Sequence, residues 1–187
     1  MIEVRPGGRR RIDRVLAVDF ADGAAQLSMT DLRARRDEAA QEETDLSYLR
    51  RLLHARIDIV RAEQRRRDEG GPASLITELA RILSINAVGP AAGSGRHRML
   101  EPSRAEAHRR HVEALVSDVD LSDVTSLSEE QLDGALVAYM AEEESVSHCR
   151  REVQQVMGRL NAEIGARYAQ GSASVDDLLA GEGGQQR

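Results

Sequence analysis

The sequence predicts an all-α protein: two long helices paired as a coiled coil, two short helices between them, and flexible termini. Three observations carry this. Among 187 residues there are no Trp, one Phe and three Tyr, too few aromatics for the wide core of a sandwich or a layered α/β sheet. Ala, Leu, Arg, Glu and Gln dominate, residues that suit long helices with narrow apolar seams. Two stretches a hundred residues apart carry apolar side chains at coiled-coil spacing.

Each element follows from local signals. Residues 1–29 read as a flexible arm, with VLAVDF (15–20) as its one apolar piece and a candidate docking segment. Thr30 suits an N-cap, with Asp31 in the first turn. No Pro or Gly follows until Gly70-Gly71-Pro72 ends the helix. At about 1.5 Å per residue that run approaches 55 Å, unless a break near residue 40 splits it. PASLITELARILS (72–84) and SRAEAHRRHVEALVSD (103–118) read as short helices around a Gly/Pro/Ser-rich loop (88–98). Ser103 with Glu106 fits a capping box. A polar connector (120–130) leads to Ser126 or Ser128, either of which opens the second long helix, to about Tyr168. The domain so defined spans 30–169, and 170–187 reads as a disordered acidic tail.

Composition excludes several functions. A net charge of −6 argues against a general nucleic-acid binder. The basic run RPGGRRRIDR (5–14) and Arg65–Arg67 are the places where a nucleic-acid regulator would hold DNA. Cys149 is alone, so no disulfide framework is expected, and on the apolar stripe it reads as a small buried hydrophobe. No apolar run reaches bilayer length and no signal peptide is legible, so the expected location is cytoplasmic and off the membrane. His108 and His111 lack a Cys or carboxylate set to complete a metal site. AGSGRHR (92–98) lacks the GK[ST] of a P-loop. Ser147, His148 and Cys149 are adjacent on a helix and point apart, so they form no triad. No enzyme is expected.

The informative stretch is QEETDLSYLRRLLHARID (41–58). Glu43, Ser47, Arg50, His54 and Asp58 fall within an arc of about 80° on a helical wheel. The apolar stripe Leu46, Leu49, Leu53, Ile57 and Val60 runs beside them, so the polar set lies at the edge of the seam. One hundred residues on, Glu143, Ser147, Arg150, Gln154 and Gly158 repeat the spacing, beside Val146, Cys149, Val153, Met157 and Leu160. Glu42, Arg51, Ala62 and Glu63 recur too, as Glu142, Arg151, Ala162 and Glu163. Intrahelical pairing accounts for Glu and Arg on a solvated face. It does not account for Ser, a poor helix-interior residue, recurring at the same edge position.

Arg offers a charged planar fork for phosphate and a flat surface for stacking. A carboxylate accepts two hydrogen bonds from a guanine edge, and Ser and Gln add neutral ones. Two such faces on opposed helices are related by an approximate twofold axis. A twofold-symmetric guanine dinucleotide matches that geometry, and cyclic di-GMP is one.

These residues resemble the RsiG family of anti-sigma factors, which carries Glu-x3-Ser-x2-Arg-x3-Gln-x3-Asp on each of two helices. Eight of the ten motif positions match, with His54 replacing Gln and Gly158 replacing Asp. The similarity runs from about residue 25 to 168. The resemblance implies an antiparallel helix pair, where the sequence alone also permits a parallel one. It implies a cyclic di-GMP dimer held by the two motifs, and sequestration in that form of a WhiG-like sporulation sigma factor. Glu43, Glu143 and Asp58 would hold guanine edges, and Arg50 and Arg150 phosphates and bases. Ser47, Ser147, His54 and Gln154 would complete the hydrogen bonds. The missing carboxylate at Gly158 implies that the first helix holds its guanines more strongly. The contrasting expectation is a ligand-independent coiled-coil adaptor, which keeps the seam and makes no use of the polar face.

Overall fold

The computed structural model of the chain describes residues 2–69 and 121–171. Two short helices come first, α1 (Arg11–Val15) and α2 (Val18–Ala21), then a single 3-10 turn (Ala24–Gln26). The long helix α3 (Met29–Asp68) follows, and beyond the undescribed stretch a 3-10 turn (Leu121–Ser126) leads into the second long helix α4 (Glu129–Ala169). The described residues contain no strand. The short helices expected at 72–84 and 103–118, the loop at 88–98 and nearly all of the tail lie outside the described residues.

Both long helices form where the sequence lacks breakers and start where it supplies caps. α3 opens on Ser28, whose Oγ accepts the Asp31 backbone N–H at 3.0 Å. The cap is thus two residues before the expected Thr30, because the Ser28 hydroxyl also donates to the Asp31 carboxylate at 2.7 Å. α3 runs 40 residues without the break considered near residue 40, a rod of about 60 Å. α4 opens on Ser128 with a full capping box: Gln131 N donates to Ser128 Oγ at 3.2 Å, and Ser128 N donates to Gln131 Oε1 at 2.8 Å.

The chain divides into two compact units, Met1–Glu3 with Thr44–Arg150, and Val4–Glu43 with Arg151–Arg187. In the first unit the two long helices pack against each other antiparallel. Arg50 meets Ser147, Arg61 meets Met140, and Gln64 meets Asp133, so numbers rise on one helix as they fall on the other. The expected stripe Leu46, Leu49, Leu53, Ile57 and Val60 is buried, as are Leu132, Ala135, Tyr139, Val146 and Cys149 on α4. Arg67 closes the far end by donating to the Leu127 carbonyl at 2.7 Å. Glu63, fully buried, takes Arg66 and Arg67 on its two oxygens, which hold its carboxyl below the usual range against burial.

In the second unit the helices are again antiparallel, with Arg33 donating to the Tyr168 hydroxyl. Val153, Val156 and Leu160 continue the α4 stripe; Val156 takes the place expected for Met157, which is half-buried. The 3,4 alternation from Val146 through Leu160 explains the choice, since a strict heptad keeps the seam facing its partner.

In the second unit part of the N-terminal stretch packs on α3. Ile12 and Val15 are fully buried, and Arg11 and Arg14 reach the α3 carboxylates Glu42 and Glu38, the first at 2.7 Å. Asp13 gathers Arg10 Nη2 at 2.6 Å, Arg10 Nε at 2.8 Å and Arg5 N at 2.9 Å. The Arg10 guanidinium pulls its carboxyl down to about 2 against burial, helped by the Arg5 N–H. Gly8 makes this possible: a Cβ there would collide with the Asp13 carboxylate. The basic run is therefore spent largely on internal acids. Among the described residues no helix is long and apolar enough to cross a membrane.

Candidate functional site

The repeated motif lies on α3 and α4, and in the first unit the antiparallel register turns its two copies toward each other. Glu143 is the hub. Its Oε1 accepts Ser147 Oγ at 2.7 Å from its own helix. From α3 it accepts Arg50 Nε at 3.0 Å and meets His54 Nε2 at 3.1 Å. Arg50 Nε also reaches Ser147 Oγ at 3.0 Å. The reciprocal contact, Arg150 Nε to Ser47 Oγ at 2.7 Å, lies in the same unit. Each motif Arg thus meets the motif Ser of the opposite helix, as an approximate twofold axis requires.

Arg50 and Glu143 each keep an open edge. Among the described residues Arg50 is bonded through Nε alone, which leaves Nη1 and Nη2 without a partner, and its side chain is 41% exposed. Glu143 is bonded through Oε1 alone, which leaves Oε2. Burial pushes the Glu143 carboxyl up, but the Ser147 and Arg50 hydrogen bonds and the neighbouring positive charge hold it below its ordinary range. The site therefore offers an ionised carboxylate oxygen beside a guanidinium fork.

The second unit holds the other pair of motif residues in contact, Gln154 Nε2 donating to Glu43 Oε1 at 3.1 Å. This is the counterpart of His54 with Glu143, so His54 fills the place of a Gln. Asp58 is half-buried on α3, one turn beyond His54. Gly158 is exposed on α4, with nothing within 4 Å of where a Cβ would stand. The recurring Glu42 and Glu142 lie on the seam side of their helices, about 120° round from the centre of the motif, and both are buried. Their recurrence was visible in the sequence without its meaning, since Glu42 serves Arg11 of α1. Cys149 is buried in the seam. Among the described residues no group of His, Cys, Asp or Glu is placed to hold a metal ion, and His97, His108 and His111 lie outside them.

A family model described as RsiG-like matches residues 19–83 and 118–182, together well over half of the chain. The chain belongs to the RsiG-like family. The two matched stretches each contain one copy of the motif and its long helix. Membership suggests an anti-sigma factor role, with a sigma factor as the kind of partner, in a regulatory and non-enzymatic family. No curated protein matches the chain.

Proposed function

We propose that this RsiG-like chain is an anti-sigma factor whose grip on a WhiG-like sporulation sigma factor depends on a cyclic di-GMP dimer held by its two motifs. The observation that carries the reading is the reciprocal exchange in the first unit, Arg50 to Ser147 and Arg150 to Ser47. A twofold-symmetric ligand fits that arrangement, because it meets the same Arg and Ser on each of the two helices. The polar set fits the ligand: Arg50 Nη1 and Nη2 suit phosphate oxygens, and Glu143 Oε2 suits a guanine ring N–H or amino group.

In this reading Glu43, Glu143 and Asp58 hold guanine edges, and Arg50 and Arg150 take phosphate and stack on bases. Ser47, Ser147, His54 and Gln154 complete the hydrogen bonds. The dinucleotide is an effector and is not consumed. Its loss frees the sigma factor, and sporulation genes are transcribed.

Calorimetric titration of cyclic di-GMP into the full chain, alone and with the sigma factor, tests this. Binding of two ligands per chain in either setting, abolished by Arg50→Ala, is the expected result. No heat in either setting, with the sigma factor still bound, would leave a ligand-independent coiled-coil adaptor.

A further inference from the structure

A cyclic di-GMP dimer carries four phosphodiester charges, and the motif supplies two Arg. We infer that Arg51 and Arg151, outside the motif, are a second pair of phosphate-binding residues that flank the same faces. The inference rests on the function proposed above.

Arg51 directly follows Arg50, and Arg151 directly follows Arg150. On its helix Arg51 stands four residues after Ser47 and three before His54, and Arg151 stands likewise between Ser147 and Gln154. Those spacings place side chains about 5–6 Å apart at Cβ, so each Arg borders two motif residues. On the wheel each sits about 60° from the centre of the motif arc, on its outer shoulder and away from the apolar stripe.

Both are exposed, and among the described residues neither makes a hydrogen bond or an ion pair. Arg10, Arg11, Arg14, Arg66, Arg67 and Arg167, by contrast, all hold carboxylates. The ordinary use of an exposed helical Arg is an ion pair three or four residues away. Neither residue has one. The neighbours of Arg51 at those spacings are Ser47, Tyr48, His54 and Ala55, and those of Arg151 are Ser147, His148, Gln154 and Gln155. Two cations without carboxylates, at repeat-related positions beside a guanine-type face, fit the phosphates that lie outside a pair of bound bases. The chemistry asked of them is a point charge rather than a fixed fork.

The test titrates cyclic di-GMP into the full chain, with and without the sigma factor, at low and high salt. Wild type is compared with Arg51→Ala/Arg151→Ala, Arg51→Lys/Arg151→Lys, and a control of equal charge loss, Arg9→Ala/Arg56→Ala. Far-UV circular dichroism checks that each variant folds, Arg51, Arg151 and Arg9 being exposed and Arg56 half-buried. The double Ala variant is expected to bind about 100-fold more weakly, with a shallower salt dependence, from two lost charge-assisted contacts. The double Lys variant should stay within about tenfold of wild type because its charge survives, and the control should match wild type. Wild-type-like affinity and salt slope in the double Ala variant would overturn the inference and leave the ligand reading standing. A loss equal to that of the control would also overturn it, as an effect of net charge. If wild type itself binds no ligand in either setting, the proposed function fails and this inference with it.

Discussion

Gly158 separates the energetics of the helix from those of the ligand. It lies inside α4, exposed, with no atom within 4 Å of an added Cβ. A side chain therefore enters without strain. Gly158→Ala should stabilise the chain by about 0.8–1.0 kcal/mol through helix propensity alone, raising the melting temperature by about 3 °C. Gly158→Asp should gain only about 0.3 kcal/mol, since Asp is a weaker helix former than Ala. In cyclic di-GMP affinity the order should reverse. Asp restores the fifth motif position and a charge-assisted hydrogen bond, worth about tenfold, while Ala adds nothing. Thermal melts read the first effect and calorimetric titration the second. Equal affinity of the Ala and Asp variants would refute the assignment of this position to a guanine edge. A melting temperature unchanged in Gly158→Ala would refute the argument that the glycine costs helix stability.

Two further outcomes follow from the same reasoning. Asp58→Ala should weaken cyclic di-GMP binding about tenfold, because Asp58 is the fifth-position carboxylate that the second copy lacks; unchanged affinity would remove the expected asymmetry. Asp13 holds its carboxyl near 2 against an ordinary value of 3.8, so its contribution is fully present above pH 3.8 and is lost as pH falls through about 2. Asp13→Asn should therefore cost about 2 kcal/mol in urea unfolding at neutral pH, with the gap to wild type closing below about pH 4.

Most of the fold was legible because it rests on periodicity. The stripe from Leu46 to Val60 names the buried face of α3, and the Ser128–Gln131 capping box marks the start of α4. The contacts of the N-terminal stretch were not legible, because Gly7, Gly8 and a run of Arg are also what a solvated tail looks like. They depend on partners far away in sequence, Glu38 and Glu42, and on the room that Gly8 leaves for the Asp13 carboxylate. Val156 displaced Met157 because one residue of register decides which of two adjacent apolar side chains faces the seam. The site residues were legible as a repeat. The register that brings Glu143 under Arg50 and His54 was not, because spacing within a helix says nothing about its partner's direction.

The first unit also bears on how a ligand would act. Arg50 is anchored by Nε and Glu143 by Oε1, so their open edges take a ligand without giving up any cross-helix bond. The geometry is present before binding, which spares the cost of ordering these side chains. On the proposed reading, then, the dinucleotide does not fold the helices. It adds a surface, and the sigma factor must touch the ligand as well as the protein for affinity to depend on it, since a ligand shifts an equilibrium only through differential contacts. Saturating cyclic di-GMP should raise the melting temperature and leave the far-UV helical amplitude unchanged. A rise in helical amplitude on binding would show that the ligand orders the helices and that its effect on the partner runs through refolding.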